Sequence, residues 1–87
     1  MGIIAERITK ARKELGLNQK ELAKKANLTE ANLSRYENGI REPKSAVLAR
    51  LADALEVSTD YLVGLTDEKT YDSYDLSKKW RWYTYGT

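Results

Sequence analysis

Between Leu15 and Leu65 the chain halts itself repeatedly. Gly16, Asn27, the Asn38-Gly39 pair and Gly64 each follow a short run with helical spacing. Gly and Asn are the residues that most readily take the left-handed conformation that ends a helix. The restarts are marked as well. Asn18, Thr29 and Ser58 each stand where a side-chain oxygen can accept an orphan N–H of a new first turn. Glu21, three residues after Asn18, makes that start a capping-box pair, and Leu28 with Leu33 and Val57 with Leu62 have the spacing of hydrophobic staples. A chain punctuated in this way makes only short helices. Helices shorter than about 12 residues do not persist alone in water, so these must be held by packing on one another.

The apolar spacing says which faces pack. Ile4, Ile8, Ala11 and Leu15 recur at helical intervals, with Glu6, Arg7, Lys10, Arg12 and Lys13 elsewhere, which predicts a first helix ending near Glu14 or Leu15. Leu22, Ala23 and Ala26 mark the inner side of a second helix. Leu33 and Tyr36 are the thin inner side of a third, about eight residues long from its cap at Thr29 to Asn38. Pro43 is expected in the first turn of a fourth, where proline is tolerated. That helix is expected over residues 44–55, with Val47, Leu48, Leu51, Ala52 and Leu55 at helical spacing. A very short fifth helix follows Ser58. Five short helices with brief connections predict an all-α domain.

Composition removes several classes of function. The 87 residues suit one domain. The chain has no cysteine and no histidine, so thiolate chemistry and the commonest metal ligand and general base are excluded. No metal or cofactor site is expected. Carboxylates, lysines and tyrosines are present, but no spacing gathers them into a pocket, so an enzyme is not expected. No apolar run approaches the ~20 residues of a membrane span, and no signal-peptide pattern opens the chain; the expected location is the cytoplasm. The formal net charge of +2 is too small to imply nucleic acid by itself.

The stronger signal is a juxtaposition. The second and third helices meet at a tight turn around Asn27-Leu28-Thr29, where the small Ala23 and Ala26 permit a close, steep crossing. This is a helix-turn-helix, which presents its second helix outward, and that helix suits the DNA major groove. The stretch GLNQKELAKKANLTEANLSRYENG, residues 16–39, resembles the core of the Cro/C1-type (XRE-like) repressor family. ALEVSTDYLVG, residues 54–64, resembles the family's closing segment. The resemblance spans about residues 4–65 and implies a five-helix lambda-repressor-like domain that binds double-stranded DNA.

It also implies roles. Glu30, Ala31 and Arg35 match the family's principal base-reading positions. Chemically, Arg35 can pair with guanine O6 and N7, Glu30 can accept from cytosine N4, and the Ala31 methyl can touch a thymine methyl. Ser34 shares their face and Asn32 stands at its edge. An acid in the first turn also favours the helix dipole, which alone would account for Glu30. Gln19 matches a glutamine that in the family bonds a phosphate and braces the recognition helix. Asn18 is a second phosphate candidate, although capping would explain it. Asn38, Arg41 and Lys44 match the loop that follows the recognition helix, where backbone N–H groups and an amide hold phosphates; such contacts supply salt-dependent affinity without base preference. Lys10, Arg12 and Lys13 read as a solvated face rather than contacts.

Residues 1–65 are therefore expected to form the DNA-binding domain, and residues 66–87 to be an acidic linker with an aromatic tail. Six of the eight aromatic residues fall between Tyr71 and Tyr85. Trp80, Trp82 and Thr84 alternate with Arg81, Tyr83 and Tyr85, a pattern that predicts a short β-strand. An isolated strand needs an edge to pair with. Pairing with its own copy would make a homodimer, with Trp80, Trp82, Tyr83 and Tyr85 as the dimerisation residues, and two-fold symmetry would suit a palindromic operator. Folding back on the helices as a hairpin or packing arm, or forming a disordered arm or a docking site for another protein or for DNA by stacking, are the other readings. The leading expectation is a sequence-specific DNA-binding repressor. The alternative is an antitoxin-like or adaptor protein that uses the tail to grip a partner.

Overall fold

A computed structural model describes residues 2–69. The start signals act as expected. The Asn18 side chain accepts from the Glu21 N–H at 2.7 Å and the Glu21 carboxylate accepts from the Asn18 N–H at 2.9 Å. Thr29 caps the third helix through the Asn32 N–H, and Ser58 caps the fifth through the Tyr61 N–H. The elements are α1 (Ile3–Glu14), α2 (Gln19–Lys25), α3 (Glu30–Glu37), α4 (Ser45–Leu55) and α5 (Thr59–Leu62), and there is no strand among the described residues.

All five helices end by the same closure. A residue with positive φ and the residue after it both donate N–H groups back into the last turn. In α2 these are Asn27 to the Lys24 carbonyl (3.2 Å) and Leu28 to the Ala23 carbonyl (2.7 Å). Gly16, Gly39 and Gly64 occupy the left-handed position in α1, α3 and α5. In α4 it falls to Glu56, at φ 60°, although a residue with a Cβ adopts that conformation at a cost of ~1–2 kcal/mol.

The core is built from Ile8, Leu22, Leu33, Leu51, Leu55 and Leu62, all fully buried. Helix α1 packs on α3, α4 and α5, while α3 rests on α1 and α2. Two expectations need correction. Leu15 is not an inner residue of α1. It is the C-cap and is 41% exposed, and the buried stripe is Ala5, Ile8 and Ala11. Pro43 lies outside α4 rather than in its first turn: Lys44 is the N-cap and Ser45 the first helical residue. Proline's ring is instead buried in the loop, beside a small cavity lined by Ile4, Ala5 and Tyr36.

The chain after α5 is tied back to α1. The Arg7 guanidinium donates to the carbonyl oxygens of Tyr61 (2.9 Å) and Thr66, and pairs with Asp67 at 2.7 Å. Its carbon lies 4.4 Å from the centre of the Tyr61 ring. Further on, Lys69 reaches Glu14 at 2.6 Å and its carbonyl accepts the Ser58 N–H. The expected acidic linker therefore begins with residues held against the domain. The expected aromatic strand lies outside the described residues. No helix among them is long and apolar enough to cross a membrane.

Candidate nucleic-acid interface

The inner and outer sides of α3 differ in kind. Leu33, Tyr36 and Glu37 are buried. Glu30, Ala31 and Arg35 are exposed, and Asn32 and Ser34 half-buried. Among the described residues, the side chains of these five outward residues make no hydrogen bond to another helix. Their contacts stay local: Arg35 Nη1 donates to Asn32 Oδ1 at 3.1 Å, and Asn38 Nδ2 donates to Ser34 Oγ at 3.2 Å. The structure thus brings four of the expected contact residues together in two pairs along one face.

The inward residue Glu37 was not among the expected site residues. Its carboxylate is 3% exposed and meets Arg12, itself 12% exposed, in a two-pronged pair: Nε to Oε2 at 2.8 Å and Nη2 to Oε1 at 3.0 Å. Thr9 Oγ1 and Gln19 Nε2 also donate to Oε1, each at 3.2 Å. Arg12 Nη1 closes the set on the Leu17 carbonyl at 2.9 Å. One buried carboxylate at the end of α3 therefore collects α1 and the start of α2. Arg12, expected on a solvated face, is a structural residue; its flat fork of donors matches a carboxylate in two directions, as a lysine's could not. Sequence spacing held the clue. Glu37 follows Leu33 by four positions and Arg12 follows Ile8 by four, so both continue an inner stripe. A charge on an inner stripe calls for a partner.

Gln19 accordingly braces α3 through Glu37, and among the described residues its amide oxygen accepts no hydrogen bond. The Asn18 amide oxygen is committed to its capping box, which leaves only its NH2 group for a phosphate. Arg41 is exposed, and its backbone N–H bonds the Arg35 carbonyl at 3.3 Å, fastening the loop to the end of α3. Lys44 is exposed at the start of α4 and makes no side-chain cap bond. Trp80, Trp82, Tyr83 and Tyr85 lie outside the described residues. No group of acids suited to a metal ion occurs among the described residues.

Two helices joined at a left-handed residue, the second fixed by its inner side and bare on its outer side, define a helix-turn-helix. The chain belongs to the Cro/C1-type helix-turn-helix family of DNA-binding transcription regulators, which are not enzymes; the helix-turn-helix family model matches residues 8–62. It is 38% identical over 76 residues to the transcriptional regulator ImmR of Bacillus subtilis, a match that covers 87% of this chain and 60% of ImmR. The chain thus spans somewhat less than two thirds of that relative's length. Among solved structures it resembles the N-terminal DNA-binding domain of SinR from Bacillus subtilis, at a TM-score of 0.67 and 34% identity over 70% of this chain and 90% of that one. It also resembles the P22 c2 repressor in complex with a synthetic operator, at a TM-score of 0.68 and 33% identity over 72% of this chain and 96% of that one.

Proposed function

We propose that this protein is a sequence-specific regulator, a repressor, that lays α3 in the major groove of double-stranded DNA and binds as a dimer to a palindromic site. The observation that carries the reading is the division of α3. Among the described residues, the buried side chains that hold it to the fold are Leu33, Tyr36 and Glu37. Glu30, Ala31, Asn32, Ser34 and Arg35 are left for a partner. Those groups supply acceptor, methyl, amide, hydroxyl and guanidinium, a mixed set suited to base edges rather than to phosphates alone. Asn18, Gln19, Asn38, Arg41 and Lys44 are assigned to the phosphate backbone, where they set register and salt dependence. Residues 1–65 are the DNA-binding unit in this reading. The operator complex of the P22 c2 repressor supports it.

The test is selection of bound sequences from a random duplex pool at a fixed salt concentration. An enriched palindrome with half-sites about one helical turn apart is expected. Arg35→Ala should relax the preference at one base pair by ~1–3 kcal/mol, whereas Lys44→Ala should weaken all sequences alike. Salt-sensitive binding with no enriched motif would overturn the reading.

A further inference from the structure

We propose that Asn32 is a positioning residue for Arg35, so that the pair rather than Arg35 alone sets specificity at one base pair; this rests on the proposed DNA-reading role of α3. The two stand one turn apart on the same face. Asn32 Oδ1 accepts a hydrogen bond from Arg35 Nη1 at 3.1 Å. Asn32 is half-buried on a short side chain with two χ angles, next to the Thr29 cap that binds its backbone N–H at 3.1 Å. Arg35 is exposed and, among the described residues, joins no ion pair.

A long exposed arginine loses much rotamer freedom when it docks on a base. A contact already made in the free protein removes part of that loss. One of five N–H donors is taken by Asn32, and the rest of the fork still offers two for guanine O6 and N7. The choice of a neutral acceptor matters too. An aspartate would hold the guanidinium as well but would cancel its charge; the amide orients it and leaves the full positive charge for the DNA.

The experiment repeats the duplex selection with the wild type, Arg35→Ala, Asn32→Ala and Asn32→Asp. Base preference is a ratio within one variant, so a merely structural role would not move it. Arg35→Ala identifies the base pair that Arg35 reads. Asn32→Ala is expected to lower the preference at that same pair about fivefold, as expected for one lost hydrogen bond. Asn32→Asp is expected to keep the preference there while binding all sequences more weakly. If Asn32→Ala leaves that position unchanged, or alters a different base pair instead, the positioning role is overturned while the DNA-reading role stands. If the wild type enriches no motif, both fall together.

Discussion

Two arginines on α1, five residues apart, each meet a carboxylate at nearly the same distance. Arg7 pairs with Asp67 at 2.7 Å and Arg12 with Glu37 at 2.8 Å. The distances say the pairs are alike, but the surroundings differ. The Asp67 side chain is 97% exposed and that of Glu37 is 3% exposed. In water a carboxylate has alternative partners, and such a pair contributes little. Inside the fold, among the described residues, the donors to Glu37 are those that Thr9, Arg12 and Gln19 bring to it. Taking one away leaves a charge with nowhere to go. What Arg7 contributes comes from its neutral contacts, the two carbonyl oxygens and the Tyr61 ring, rather than from its ion pair.

The sharpest challenge to that contrast is Arg12→Ala, which strands the Glu37 charge. Urea unfolding should show a loss of ~3 kcal/mol or more. Replacing both partners together, Arg12→Met with Glu37→Met, should recover most of that loss, because an apolar pair has no desolvation to offset. A loss below about 1 kcal/mol for the single change would break the comparison. Arg7→Ala should cost less, about 1–2 kcal/mol through its carbonyl bonds and ring contact. Asp67→Ala should cost under ~0.5 kcal/mol and less still at high salt. Equal losses for Arg7→Ala and Asp67→Ala would mean that the exposed ion pair matters after all.

The smallest effect belongs to the other exposed pair. A hydrogen bond from Lys69, with the charges of Lys69 and Lys10, holds the Glu14 carboxyl below its ordinary pKa. A depressed carboxylate pKa gives stability that is present above the unfolded value and lost as pH falls through the folded value. The dependence therefore lies wholly on the acid side. Titration followed by NMR should show the Glu14 midpoint moving up in Lys69→Ala; an unmoved midpoint would count against the contact.

The same division separates what could be read from the sequence from what could not. The caps at Asn18, Thr29 and Ser58 join groups three residues apart, so residue type and spacing reveal them. The stops at Gly16, Asn27, Gly39 and Gly64 are equally local. Arg12 and Glu37 are separated by 25 positions, and Arg7 and Asp67 by 60. No local rule couples them, and a habit of placing charges outside hid the first pair. The stop at Glu56 is not legible, because nothing in a glutamate announces a left-handed backbone. Of the site, the outward face of α3 is legible through the cap and stop that frame it, and the bracing by Gln19 through the resemblance, whereas the buried Arg12–Glu37 pair that Gln19 joins is not.

The clean split of α3 has a consequence for how such a protein changes over time. Its buried residues, Leu33, Tyr36 and Glu37, are distinct from its exposed ones, Glu30, Ala31 and Arg35. If α3 reads DNA as proposed, substitutions at the exposed Glu30, Ala31 and Arg35 would alter what is recognised with little effect on whether the domain folds. On that reading the helix would be an interchangeable cartridge: new target sequences would be reached by exchanging a handful of side chains while the buried socket stayed as it is.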